Sequence, residues 1–131
     1  MVGILNISEG SKIGLHAAVH LSKGNGEPIT TKEAAEAMKV SAAHLSKILQ
    51  RMARSGIIKA VRGPKGGYLL SRPLAEIRLR DVFEAIEGPM KLSRCLLAQP
   101  RCGVDGCMLG DMLAQINKQV VAHFERKLSE L

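Results

Sequence analysis

Two short helical segments lie one tight turn apart, and a β-rich stretch follows the second at once. Few folds accommodate that order. Thr30 is placed as an N-cap with Glu33 three residues on, the pattern of a capping box. The Ala-rich run that follows favours helix. Lys39 and Val40 form a turn, and Ser41 caps a second helix through Arg54, ended by Gly56. Its apolar positions, Leu45, Ile48, Leu49 and Met52, fall on one face. Residues 57–62 and 68–71 then read as strands around the turn-forming run Gly63, Pro64, Lys65, Gly66, Gly67. A helix-turn-helix followed by a hairpin is a winged helix-turn-helix.

The rest of the chain completes that unit. A leading helix over 11–23 carries the stripe Ile13, Ala17, Leu21, with Ala18 beside it, and a later one over 79–86 carries Leu79, Val82, Phe83 and Ile86. Gly88 and Pro89 stop the latter. From Met108 to Leu131 the pattern predicts the longest helix, with Leu109, Met112, Leu113, Ile116, Val120, Phe124 and Leu128 on one apolar face. So wide a face on a terminal helix predicts pairing with a second copy. The fold class is mainly α with a small β-hairpin wing, a winged helix-turn-helix domain plus a long C-terminal dimerisation helix. The predicted division is 1–90 for DNA binding, 91–107 for a cysteine loop and 108–131 for dimerisation. Met38, Met52, Met108 and Met112 are expected to fill core.

Charge says what such a domain meets. Residues 1–94 carry 15 Lys/Arg against 8 Asp/Glu, whereas residues 95–131 carry 4 of each. Between Glu36 and Glu76 there is no acidic residue, and eight basic ones fall in that gap. This is the footprint of a phosphate backbone. A recognition helix reads base edges with its N-terminal residues. These are Ser41, Ala42, Ala43, His44, Ser46 and Lys47. Thr30 and Thr31 offer hydroxyls and N–H groups to a phosphate. Arg51 and Arg54 neutralise backbone, and Arg62, Lys65 and Gly66 belong to a wing tip that enters a minor groove. No apolar run spans a bilayer and no signal peptide precedes the fold, so a cytoplasmic location is expected. Neither a nucleophile elbow nor a phosphate loop is present, so no catalysis is implied.

Cys95, Cys102 and Cys107 are the three cysteines of the chain, grouped in a Gly/Pro-broken loop with spacing C-x6-C-x4-C. An iron–sulfur cluster, a zinc ion, a disulfide switch and simple burial are all readings of such a group. The absence of C-x2-C knuckles speaks against zinc, and the polar loop speaks against burial. His20 and His123 lie on predicted helices without thiol spacing and are set aside.

RGPKGGYLLSRPLAEIRLRDVFEAIEGP, residues 62–89, resembles the wing-and-linker signature of the Rrf-two family of bacterial transcription regulators, of the IscR/NsrR-like kind. GLHAAVHLS, VSAAHLSKILQRMARSGII, the cysteine loop and the final helix extend the resemblance over nearly the whole chain. It implies a homodimer whose C-terminal helices cross between subunits. It further implies a 2Fe–2S or 4Fe–4S cluster on Cys95, Cys102 and Cys107, whose state alters binding to a roughly palindromic site in double-stranded DNA. The alternative is a cluster-free regulator controlled by thiol oxidation or by a partner protein. This chain departs from the family in several places. Cluster-binding members have a more even C-x5-C-x5-C spacing. Gly110 stands where some carry a histidine ligand, and Lys12 where others carry an aspartate. Glu9 or His16 of a second subunit, Asp111, or an exogenous molecule remain as candidates for a fourth ligand. Arg78 replaces a common Thr N-cap, and His44 replaces an aromatic residue.

Overall fold

The computed structural model describes residues 7–95 and 107–131. Five α-helices and one hairpin are present among the described residues: α1 (Glu9–Ser22), α2 (Thr31–Met38), α3 (Ala42–Arg54), β1 (Ile58–Val61), β2 (Gly67–Leu70), α4 (Leu79–Glu87) and α5 (Met108–Phe124). Short 3-10 turns at Leu74–Glu76 and Leu128–Glu130 complete the order. The winged helix-turn-helix expected from the sequence is the observed fold.

The helices start where the sequence places their caps. Ser8 accepts from the Ser11 N–H at the head of α1, and Ser41 from the His44 N–H at the head of α3. At α2 the capping box is complete: Thr30 Oγ1 accepts from Glu33 N–H, and Glu33 Oε2 accepts from Thr30 N–H. Lys39, in the left-handed region, closes α2 and turns the chain into α3. Leu45, Ile48, Leu49 and Met52 of α3 pack with Ile13, Ala17, Ala18 and Leu21 of α1, and with Ile58, Ile77 and Val82, in one core.

β1 and β2 pair antiparallel in the register Ile58↔Leu70 to Val61↔Gly67. Ile29 adds a bridge that the sequence did not foretell. Its N–H donates to Tyr68 O at 2.9 Å, and it accepts from Tyr68 N–H at 2.8 Å. The chain entering α2 is therefore tied to β2 by a single antiparallel bridge. Gly67 permits it: a Cβ there would lie 2.6 Å from the Ile29 carbonyl carbon, and φ is +147°.

The C-terminal segment differs from expectation. It is not one helix to Leu131, because α5 ends at Phe124. The chain then folds back as a short antiparallel bridge, with Leu79 N–H donating to Arg126 O at 3.0 Å and Leu128 N–H to Ile77 O at 2.9 Å. Leu128 is 2% exposed and belongs to the core, not to the α5 face. The edge of residues 77–79 supplies partners that a continuing helix would have left unmet. α5 itself buries no residue completely. Met108 and Met112 are exposed, not core filler, whereas Met52 is fully buried and Met38 half-buried. Phe124 of α5 meets Phe83 of α4 edge to face, with ring centroids 5.5 Å apart.

Candidate DNA interface and cysteine site

Burying Leu45, Ile48, Leu49 and Met52 turns the other side of α3 outward. Ser41, Ala42, Ala43, His44, Lys47, Arg51 and Arg54 are exposed there, and Ser46 is half-buried. The structure thus gathers the expected recognition residues on one continuous surface. Gln50 joins them, exposed, with its side-chain amide donating to Ser46 Oγ at 3.4 Å. The sequence reading passed over Gln50, although its place one turn beyond Ser46 on an otherwise exposed face was a signal for it. No acidic residue lies on α3, and its last turn carries Arg51 and Arg54.

Two expected contacts are partly engaged within the protein. Thr30 N–H already donates to Glu33, so its backbone is spent, and its hydroxyl proton and Thr31 remain to meet a phosphate. Ser41 Oγ accepts from His44 N–H and keeps its own proton for donation. The wing tip is open: Arg62, Gly63, Pro64 and Lys65 are exposed, and Gly66 N–H donates to Gly63 O at 2.9 Å to close the turn.

The cysteines are brought together in part. Cys107 is the N-cap of α5 and Cys95 ends the stretch that follows α4; both are half-exposed thiols without a disulfide. Asn117 on α5 donates to Ser93 O at 2.8 Å, and Cys95 N–H donates to Ser93 Oγ at 3.1 Å. A Cβ built on Gly110 would stand 3.5 Å from Arg94 O and 3.7 Å from Cys107 Cβ. The segments carrying Cys95 and Cys107 therefore converge over the first turn of α5. Cys102 lies outside the described residues. Among the described residues no three metal-ligating side chains converge.

The candidates for a fourth ligand are spread out. Asp111 is exposed in the first turn of α5, its N–H donating to Cys107 O at 3.0 Å. Glu9 and His16 lie on α1, away from α5, and line a cleft against Ala37, Met38 and Val40. Glu9 pairs with Lys12 at 3.6 Å, and His16 Nδ1 donates to Lys12 O at 2.6 Å. Among the described residues, Glu9 and His16 join no metal-ligating group with Cys95 or Cys107.

A five-residue ionic clasp ties the end of α5 to α4. Arg78 Nη1 donates to Glu125 Oε2 at 2.7 Å, and its Nη2 to Asp81 Oδ1 at 3.0 Å. Arg80 bonds Glu84 at 2.8 Å and Glu125 at 3.1 Å. The hydrogen bonds from Arg80, then Arg78, hold the Glu125 carboxyl below its ordinary range. Arg80, and then the Met90 N–H, do the same for Glu84. Burial pushes Asp81 up, but hydrogen bonds from the Arg78 guanidinium and backbone outweigh it, and Asp81 also lies low. Arg78 thus anchors the head of α4 through Asp81 in place of a Thr cap.

The model of the Rrf2 family, described as an iron-dependent transcriptional regulator, matches residues 7–129. The HTH-type transcriptional regulator IscR of Xenorhabdus nematophila is 31% identical over 97 residues, which cover 74% of this chain and 54% of that protein. The chain thus spans little more than half the length of such curated relatives. Among solved structures, CymR, the global cysteine regulator of B. subtilis, superposes with a TM-score of 0.79 at 24% identity, covering 96% of this chain and 95% of that one. IscR of T. potens does so with a TM-score of 0.73 at 23% identity, covering 96% and 85%. These two share the fold. With the family model spanning both the winged helix and the cysteine segment, the chain belongs to the Rrf2 family of DNA-binding transcriptional regulators.

Proposed function

We propose that this protein represses or activates transcription by binding a roughly palindromic operator as a homodimer, and that an iron–sulfur cluster on Cys95, Cys102 and Cys107 sets that binding. The observation that carries the reading is the convergence of the Cys95 and Cys107 segments over Gly110 at the start of α5. A bound cluster would supply a centre sensitive to redox state and to small ligands such as nitric oxide. The chain's residues would do the rest. Ser41, Ala42, Ala43, His44 and Ser46 read bases, Lys47 stands between bases and backbone, Thr30, Thr31 and Arg51 hold phosphates, and Arg62, Lys65 and Gly66 enter a minor groove. The exposed Met108, Leu109 and Met112 on α5 are the surface through which two copies would pair. In this reading residues 1–90 bind DNA, 91–107 hold the cluster, and α5 within 108–131 dimerises. Asp111 is the candidate for a fourth ligand from the same chain, and Glu9 and His16 from the partner. The protein would work in the cytoplasm and by binding, not catalysis.

A second reading is a cluster-free regulator controlled by thiol oxidation or by a partner protein. The likeness in fold to CymR and the uneven cysteine spacing support it. Protein purified without oxygen separates the two. Visible absorbance with near-equal iron and acid-labile sulfide, lost in Cys102→Ala, is the result expected of a cluster. Colourless, iron-free protein that stays so after reconstitution would overturn the cluster reading.

A further inference from the structure

α1, α3 and α4 meet at a junction where a carboxylate faces the basic flank of the recognition helix. Glu87, the last residue of α4, accepts the Ser11 hydroxyl at 2.6 Å and the Ser8 hydroxyl as well, both on Oε1. Ser11 is fully buried, so this acceptor is anchored from below. No hydrogen bond among the described residues engages Glu87 Oε2. The two glycines of α1 fix the spacing. A Cβ on Gly10 would lie 3.1 Å from Ile48 Cδ1, and one on Gly14 would run into Ile86. α1 therefore seats directly on α3 and α4, and the exposed Glu87 at the end of α4 stands beside α3.

Above this junction lies a cleft of about 350 Å³ lined by Ser8, His44, Lys47, Arg51 and Glu87. Residues 44, 47 and 51 are spaced i, i+3, i+7 and form one stripe along α3. Lys47 and Arg51 are exposed, and neither pairs with Glu87 within 4 Å among the described residues. With α3 in a major groove, one flank of the helix runs beside a phosphate backbone. This stripe is such a flank, and Glu87 is the one carboxylate in its cleft.

We infer that Glu87 is a charge-setting residue of the DNA interface: fixed by Ser8 and Ser11 opposite Lys47 and Arg51, it holds down their attraction for backbone phosphate. The inference rests on the DNA-binding reading. Phosphate attraction is independent of sequence, so damping it leaves a larger share of the binding energy to base contacts at the head of α3.

The test is Glu87→Gln, whose amide oxygen still accepts from both serines while the charge is gone. The probe is a labelled mixed-sequence duplex long enough for two half-sites, titrated across a salt series. Glu87→Gln should bind roughly three- to tenfold tighter near 0.1 M salt, with a log–log salt slope steeper by about one. Ser11→Ala is the structural control. It keeps the charge and removes the buried hydrogen bond, so it should lower the melting temperature and leave the salt slope unchanged. Equal affinity and equal slope for Glu87→Gln and wild type would overturn the inference. So would weaker binding by Glu87→Gln matched by Ser11→Ala, which would make Glu87 a strut alone. Failure of the wild type to bind the duplex in a salt-dependent way would instead strike the DNA-binding reading beneath both.

Discussion

Leu128→Ala tests whether the chain's end belongs to the domain core or to an interface between copies. Leu128 is 2% exposed, its N–H is bonded to Ile77 O, and it sits in the same cluster as the fully buried Ile77 and Val82. The substitution removes three buried carbons. At about 0.8 kcal/mol each, the transfer term is about 2.4 kcal/mol. Ile77, Val82 and their neighbours are held by helices and strands on several sides, so the site collapses only in part, and a cavity term raises the cost to roughly 3–4 kcal/mol. Against a total stability of about 5–15 kcal/mol that is a large fraction. The midpoint of thermal unfolding should drop by on the order of 10 °C. Urea unfolding of Leu128→Ala beside Leu131→Ala measures it. Leu131 is 55% exposed, and its truncation should stay within about 0.5 kcal/mol. A loss below about 1 kcal/mol for Leu128→Ala would refute the placement of Leu128 in the core. A loss that grows on dilution would refute it too, by assigning Leu128 to a dimer contact, as a helix continuing to residue 131 would have done.

The ionic clasp and the wing base make two further predictions. Asp81, Glu84 and Glu125 are held below their usual range in the folded state, so their contribution is complete above the unfolded values of 3.8 to 4.5 and is lost as pH falls through the lower folded values. Urea midpoints should therefore be steady down to about pH 4.5 and decline below it; Arg80→Ala, which releases Glu84 and leaves Glu125 to Arg78 alone, should make that acid decline shallower, and identical declines in both proteins would refute the clasp. Gly67→Ala should destabilise the fold by roughly 2 kcal/mol or more, because a Cβ there meets the Ile29 backbone at a positive φ; a urea midpoint equal to wild type would show that the Ile29–Tyr68 bridge tolerates the crowding.

Local rules account for what was legible. Caps are short-range chemistry, so Thr30 with Glu33 and Ser41 with His44 N–H could be read from spacing and are found in place. The face of α3 follows from a period of 3.6, which separates Leu45, Ile48, Leu49 and Met52 from the exposed Lys47 and Arg51. The same periodicity misled at the chain's end. Leu128 continues the apolar spacing of α5, and nothing local distinguishes helix from bridge there.

The sequence by itself therefore determined the winged helix-turn-helix, the side of α3 that carries positive charge, and the group of three cysteines. These depend on residue type and on neighbours a few positions away. Tertiary structure alone decided four things: that Ile29 joins the wing, that Leu128 returns to the core, that Arg78 and Arg80 reach Glu125, and that Glu87 faces Lys47 and Arg51. Each joins residues far apart along the chain. Their meeting depends on where unpaired backbone groups, apolar surface and charge find partners once the helices have packed.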